Sequence, residues 1–141
     1  MNIQESIARY LQGSGHSFIN LKAVLFDMDG VLFNSMPYHA DAWHKVMKRH
    51  DLDLSREEAY MHEGRTGAAT INLVYQRQYG KDATPEMIES IYAEKSAEFN
   101  SHPEPERMPG AWELLQKVKA EGLTPVLAVS YTHLTLPTTE R

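Results

Sequence analysis

The stretch over residues 21–35 constrains the fold of this 141-residue chain more than any other. It reads LKAVLFDMDGVLFNS, an apolar run that ends on two aspartates and a glycine. The apolar run is too short to indicate a helix, and Gly30 disfavours a helix through Asp27 and Asp29. The pattern therefore predicts a buried strand that delivers two carboxylates to a loop.

The two carboxylates suggest a specific chemistry. In open α/β sheets, ligands bind at the carboxyl ends of strands. Carboxylate and carbonyl oxygens are the ligands that Mg²⁺ prefers, and a carboxylate can attack phosphorus to form an acyl phosphate. A second carboxylate beside the first is suited to general acid/base work. The alternative is an ordinary surface turn, because Asp and Gly are common in turns, but the apolar residues on both sides argue against it.

The segment FDMDGVL over residues 26–32, followed by Asn34 and Ser35, resembles the first motif of the haloacid dehalogenase (HAD) superfamily, in its sugar-phosphatase and β-phosphoglucomutase-like branch. The resemblance implies an α/β fold: an incomplete Rossmann-like core, with the first strands and a helix, and an inserted α-helical cap. It implies that Asp27 is the nucleophile and a magnesium ligand. It also implies that Asp29 is the general acid/base and gives Mg²⁺ its backbone carbonyl.

The activity implied by this resemblance is magnesium-dependent hydrolysis of small phosphorylated metabolites, with sugar phosphates favoured, through an aspartyl-phosphate intermediate. One alternative is phosphoryl transfer of the β-phosphoglucomutase type, in which the aspartyl phosphate passes to a second sugar hydroxyl. Another is that the chain is an inactive truncated fragment or a non-catalytic helical binding module. The last alternative stays open because a two-stranded sheet buries little surface.

Composition narrows the classes of partner. The net charge of −5 gives no reason to expect nucleic acid or an anionic membrane as a partner. The chain has no cysteine, which excludes disulfides and fits a reducing compartment. It also has no apolar signal core and no run of transmembrane length. These features fit a cytoplasmic protein without nucleic acid or a membrane as partner, and we expect a monomer. The resemblance implies a small phosphorylated metabolite as its partner.

The chain divides into consecutive segments. Apolar residues at helical spacing predict a short packing helix near the N-terminus, and four further helices follow the first strand. A proline-rich linker then returns the chain to the core, so the four helices form a cap with a hinge at its two connections. The predicted segments are residues 1–20 (helix and loop), 21–35 (core strand and catalytic loop), 36–100 (cap), 101–110 (linker), 111–128 (return to the core) and 129–141 (a non-native tail).

Three cap residues are candidates for substrate contact. His39 lies one turn into the first cap helix and could face the carboxylates. The alternative, given equal weight, is that His39 is a partly exposed polar helix residue with no function in the site. Arg65 and Thr66 lie between two glycines in a loop, and the resemblance implies that this loop selects substrate. The alternative is an ordinary loop at the start of a helix, in which Arg65 is solvated and does not contact substrate. The other histidines show no ligand spacing that indicates a zinc site; they are His16, His44, His50, His62, His102 and His133.

The end of the chain departs from the family pattern. The resemblance implies a Ser or Thr after the next core strand, which binds the transferring phosphate, and then a Lys and further acidic residues. Ser130 formally fits the first of these, but no later strand supplies the rest. The letters VSYTHL from residue 129 resemble a translated sequencing adapter, so we expect residues 129–141 to be non-native, which would void the role of Ser130. The alternative is a genuine short polar tail.

Overall fold

The computed structural model describes residues 3–129. Six helices and two strands follow one another in the order expected for a sheet interrupted by a helical insertion. The elements are α1 (Ile3–Ser14), β1 (Ala23–Asp27), α2 (Met36–Arg49), α3 (Arg56–Met61), α4 (Gly67–Tyr79), α5 (Pro85–Asn100), α6 (Ala111–Ala120) and β2 (Thr124–Ala128). The predicted α/β class, a truncated Rossmann-like core with an inserted cap, is confirmed.

Hydroxyl side chains start three of the cap helices. Ser55 Oγ accepts a hydrogen bond from the Glu58 backbone N–H at 3.0 Å, and Thr84 Oγ1 accepts one from Met87 N–H at 3.3 Å. Thr66 caps α4 in the same way. Each cap satisfies a backbone donor that the helix itself leaves without a partner. The sequence patterns Ser-x-x-Glu and Thr-Pro therefore mark real helix starts.

The hydrophobic core lies in the cap formed by α2 to α5. Val46 and Met47 on α2 are fully buried in one cluster with Ile71 and Val74 of α4 and Ile91 of α5. Burying side chains of this size contributes about 1.5–3 kcal/mol each relative to leaving them exposed. The cap therefore has its own core, which fixes the positions of the side chains that it turns toward the strand ends.

The two strands are parallel and in register, with Ala23 opposite Thr124 and Asp27 opposite Ala128. Phe26 is buried, but Leu25 is 68% exposed. In the part of the chain that the structure describes, the sheet is therefore incompletely covered.

Two aromatic side chains of helices outside the cap are exposed in the described residues. Tyr10 of α1 is exposed, whereas Leu11 is partly buried, so the packing role of this helix stays a prediction. Trp112 of α6 is half-exposed and its ring lies 5.3 Å from the Arg107 guanidinium, whereas Val118 of the same helix is buried.

The two connections between cap and sheet lie side by side. The Asn34 N–H donates to the Glu106 carbonyl at 2.8 Å, and the Met108 N–H donates to the Leu32 carbonyl at 2.9 Å. The proline-rich linker is thus hydrogen-bonded to the segment that leads into α2. The two connections are therefore joined to each other, and their role as a hinge stays a prediction. Among residues 3–129, no helix is long and apolar enough to cross a membrane.

Candidate active site

A tight turn at the end of β1 presents the two aspartates. Gly30 adopts a φ of +72°, a conformation that costs little only for glycine. Its N–H donates to the Phe33 carbonyl at 2.8 Å, and the Phe33 N–H donates back to the Met28 carbonyl at 3.0 Å. This pair of bonds turns the chain immediately after Asp29, so both carboxylates stay at the strand end.

Asp27 is the last residue of β1, and its side chain is exposed. Its Oδ1 accepts a hydrogen bond from the Met28 N–H at 2.7 Å, which holds the carboxylate toward the loop. An exposed carboxylate held by a backbone donor can reach a ligand without first breaking a salt bridge. Asp27 therefore has the accessibility that a nucleophile requires.

Asp29 is held more tightly than Asp27. The buried Ser35 donates its hydroxyl to Asp29 Oδ1 at 2.6 Å, and His39 Nε2 lies 3.4 Å from the same oxygen. Because both contacts engage Oδ1, the second carboxylate oxygen is the one available for proton exchange with a ligand. The expectation that His39 faces the carboxylates agrees with this geometry.

Lys95 on α5 completes a chain of contacts to Asp29. Its side chain is 7% exposed, and its Nζ lies 2.7 Å from His39 Nδ1. An ammonium group can only donate, so His39 Nδ1 accepts and the ring proton lies on Nε2, toward Asp29. The Lys95 ammonium also lies 5.0 Å from the Phe99 ring and 5.5 Å from the Trp43 ring, in the range of cation–π attraction.

Burial lowers the pKa values of both Lys95 and His39. It lowers the pKa of Lys95 to about 8, although the negative charge of Asp29 acts in the opposite direction. Burial, and then the positive charge of Lys95, also lower the pKa of His39, again against the pull of Asp29. The imidazole is therefore held neutral near pH 7, as a donor to Asp29 rather than a second cation.

A cleft connects the strand end to the cap. Its volume is about 190 Å³, below the roughly 300–1,000 Å³ of pockets for drug-sized ligands, so it suits a small metabolite. The lining comes from both sides, with Asp27 and Asp29 at the sheet, Lys95 and Tyr92 from α5, and Arg65 from the loop before α4. The strand carboxylates and the cap loop therefore share one space.

The two candidates in the cap loop, Arg65 and Thr66, lie in different environments. Arg65 lines the cleft, and its backbone N–H donates a hydrogen bond to the His62 carbonyl at 3.1 Å. Thr66 is not among the cleft-lining residues, and its hydroxyl accepts from the Ala69 N–H at 3.2 Å as the cap of α4. Any substrate contact of Arg65 or Thr66 stays a prediction. Ser130 lies outside the described residues, as do all but the first residue of the predicted tail.

Sequence reasoning missed Lys95. Its position falls on the apolar stripe of α5, between Ile91 and Phe99 at steps of four residues. A lysine on a buried stripe needs an anionic or aromatic partner, and this was the available signal. His62 and Tyr92, which also line the cleft, gave no comparable signal.

Two oxygen donors at the strand end fit a magnesium ion. The Asp27 carboxylate is exposed, and the Asp29 backbone carbonyl belongs to the same turn. Hard oxygen ligands of this kind suit Mg²⁺, which usually keeps waters and takes substrate phosphate as its remaining ligands. No group of three or more acidic or histidine side chains that could hold a metal occurs within residues 3–129. The described residues can therefore supply part of a magnesium shell.

Comparisons with known proteins agree with this arrangement. The family model for haloacid dehalogenase-like hydrolases matches residues 21–138. A Bacteroides vulgatus protein, provisionally named beta-phosphoglucomutase, is 60% identical, with a TM-score of 0.86 over 92% of this chain and 54% of its own. A HAD hydrolase of family IA, variant 3, from Entamoeba histolytica is 25% identical, with a TM-score of 0.61 over 79% of this chain and 50% of its own.

A predicted phosphoglycolate phosphatase from Haemophilus somnus shares the fold at 20% identity, with a TM-score of 0.63 over 80% of this chain and 53% of its own. The chain thus spans about half the length of the solved relatives that it matches. The family match covers most of the chain, including both aspartates and the entire cap. We conclude that the chain belongs to the haloacid dehalogenase-like hydrolases.

Proposed function

We propose that this chain carries the nucleophile, the acid/base group and the cap of a magnesium-dependent phosphatase for small phosphorylated metabolites, with sugar phosphates favoured. One observation carries the proposal: an exposed Asp27 and a tightly held Asp29 line the same cleft as a cap that carries Lys95 and Arg65. A charged, small cleft of this kind suits a phosphate monoester better than an apolar ligand.

In the first step, a carboxylate oxygen of Asp27 attacks phosphorus and the bond to the ester oxygen breaks. Asp29, as the carboxylic acid, gives its proton to the leaving oxygen, so the alcohol leaves neutral. In the second step, water attacks the aspartyl phosphate while the Asp29 carboxylate takes the water proton. Inorganic phosphate leaves and both aspartates return to their starting forms.

Three further residues support Asp29. Ser35 and His39 donate to its Oδ1, which keeps the proton that moves on the other oxygen. Lys95 holds the imidazole in the tautomer that donates to Asp29. When bound, magnesium would supply charge neutralisation between the Asp27 carboxylate and the phosphate oxygens.

Phosphoglucomutase chemistry is the second candidate, because the relative at 60% identity carries that name. It uses the same first step, but the aspartyl phosphate passes to a sugar hydroxyl instead of water. The two functions differ in how well the closed cap excludes water.

One assay separates the candidates. Because the chain spans about half of its solved relatives, the assay uses residues 1–128 joined to the part of the Bacteroides vulgatus relative that this chain does not cover. We call this protein the extended chain. It is given β-glucose 1-phosphate and magnesium, and both free phosphate and glucose 6-phosphate are measured. Phosphate release supports the phosphatase, glucose 6-phosphate supports the mutase, and neither product in the presence of a folded protein contradicts both.

A further inference from the structure

His102, two residues after the end of α5, contacts two hydrogen-bond acceptors at once. Its Nδ1 lies 2.9 Å from the Glu98 backbone carbonyl, and its Nε2 lies 3.1 Å from Asp41 Oδ2 on α2. The imidazole also stacks on the Tyr38 ring, with the two ring centroids 4.9 Å apart. These contacts fasten the start of the predicted linker to the helix that carries His39.

The two partners of His102 require a proton on each nitrogen of its ring. A carbonyl oxygen and an ionised carboxylate can only accept hydrogen bonds, so both ring nitrogens must donate. Only the imidazolium form carries both protons, and the face of the Tyr38 ring attracts its positive charge. A neutral ring has one N–H, so its lone pair then faces either the Glu98 carbonyl or the Asp41 carboxylate. The complete set of contacts therefore exists only with the protonated ring.

Asp41 joins three segments of the chain at one carboxylate. It is paired with Lys45 of α2 at 2.7 Å and with Arg56, the first residue of α3, as well as with His102. The hydrogen bond from Lys45 holds the pKa of Asp41 below its usual range, so this carboxylate stays ionised where a histidine titrates. The side chains of His102 and Asp41 are 15% and 19% exposed, so solvent screens their contact less than it screens a fully exposed pair.

The charges around His102 act in opposite directions. Asp41 attracts the imidazolium, whereas Lys45 and Arg56, which bind the same carboxylate, repel it. On α5, the Glu98 side chain accepts a hydrogen bond from Lys45 at 3.2 Å, while the Glu98 carbonyl contacts His102. Lysine and arginine keep their charges throughout the range in which histidines titrate. Within this cluster, the proton of His102 is therefore the one that changes between about pH 5 and pH 8.

We propose that His102 is a pH-sensitive latch between the linker and α2, fastened when its ring is protonated and loosened when its ring is neutral. The latch goes beyond the proposed function, because Tyr38, Asp41 and His102 are not among the described residues that line the cleft. A bond to a carboxylate is stronger than one to a carbonyl, so the neutral ring keeps its proton on Nε2 and loses the bond to Glu98. Acidic solution therefore holds the start of the linker against α2, and more basic solution releases it from the end of α5.

Nuclear magnetic resonance of the 141-residue chain tests the latch without any assay of turnover. Histidine side chains are labelled with ¹⁵N, and the pH is raised from about 5 to about 8. We expect protons on both His102 nitrogens at the acidic end and loss of the Nδ1 proton as the pH rises. Protection of the Ser101 and His102 amides from hydrogen exchange, corrected for the intrinsic rate, should fall about threefold to tenfold over this range. A ring with one proton at both ends of the range, or unchanged amide protection, overturns the proposal.

Two variants separate the titration of His102 from that of another histidine. His102→Gln keeps N–H donors on its side chain but cannot change its charge, so amide protection at residues 101 and 102 should no longer depend on pH. His50→Gln is the matched control, because His50 also contacts a carboxylate, Glu94 Oε1 at 2.8 Å, but lies at the C-terminal end of α2. This control should keep the full pH dependence. A pH dependence that persists in His102→Gln overturns the proposal, and so does its loss in His50→Gln.

Discussion

Lys95 Nζ lies 2.7 Å from His39 Nδ1, so a buried ammonium group fixes the tautomer of a histidine 56 residues earlier in the chain. The other nitrogen of that ring lies 3.4 Å from Asp29. Burying the lysine disfavours its charged form, and packing alone would not select it. We therefore infer that the buried lysine lowers the stability of the fold while it positions Asp29, the acid/base group of the proposed function.

Replacing Lys95 with methionine tests whether the buried ammonium group lowers the stability of the fold. Lys95→Met removes a buried charge while keeping an unbranched side chain between Trp43 and Phe99, so we expect the free energy of unfolding at pH 7 to rise by about 1–3 kcal/mol. The matched control is Lys48→Met on the exposed side of α2, which should change it little. Urea denaturation followed by circular dichroism measures both. A Lys95→Met chain less stable than the reference would show that the ammonium stabilises the fold.

The lowered pKa of Lys95 also predicts how stability depends on pH. Its pKa is about 8 in the folded chain against 10.5 in the unfolded one, so the unfolded chain binds more protons between these values. The free energy of unfolding contributed by this group therefore rises with pH from about 8 to 10.5, and the burial cost is fully present below about pH 8. Denaturation at a series of pH values checks this. Lys95→Met should lack that part of the rise, and parallel curves for the two chains would contradict it.

Variants of His39 test the contact with Asp29. His39→Ala removes the Nε2–H donor, and we expect kcat of the extended chain to fall about tenfold to a hundredfold because Asp29 loses its orientation. His39→Gln keeps an N–H donor at a similar reach and should retain more of the rate. Phosphate release from β-glucose 1-phosphate gives both values. Equal losses in the two variants would mean that the ring, rather than its donor, is needed.

Gly67 and Tyr92 test the packing that supports the cap loop. A Cβ built at Gly67 would overlap the Tyr92 ring, so the start of α4 must approach α5 closely. We expect Gly67→Ala to destabilise the chain by about 1–3 kcal/mol. Gly13→Ala is the control, because a Cβ there meets no atom within 4 Å, and it should be neutral or stabilising by up to about 1 kcal/mol.

Removing the ring should relieve the overlap. In a double-mutant cycle, Tyr92→Ala should cost less in the Gly67→Ala background than in the reference chain, because the two substitutions share one contact. Thermal denaturation of the four chains measures the coupling. Additive effects would place the cost of Gly67→Ala elsewhere.

Local patterns predicted much of this fold. The apolar run before Asp27 and the hydroxyl caps at Ser55 and Thr84 lie within a few residues of the features that they specify, so the strand and the helix starts follow from the sequence. The side chain of Trp112 could not be placed in this way, because its burial depends on surfaces brought together from distant parts of the chain.

The site was predictable only in part for the same reason. Asp27 and Asp29 lie two residues apart in one turn, so the sequence alone predicted that both carboxylates lie at the end of the strand. The contact of His39 with Asp29 was weighed as one of two alternatives, because helical phase alone does not fix a side chain's partner. The contribution of Lys95 depends on the packing of α5 against α2, which no local sequence pattern specifies.

The most direct test of the account is to find the phosphoryl group on Asp27. The extended chain is mixed with β-glucose 1-phosphate and magnesium, quenched in acid and treated with borohydride, which reduces an aspartyl phosphate to homoserine. Trypsin then releases a peptide over residues 23–45, and tandem mass spectrometry locates the change. We predict homoserine at residue 27, and its absence in Asp27→Asn, which should also lose at least about a thousandfold in kcat. Unmodified Asp27 in a chain that turns over, or full turnover by Asp27→Asn, would contradict the assignment of Asp27 as the nucleophile.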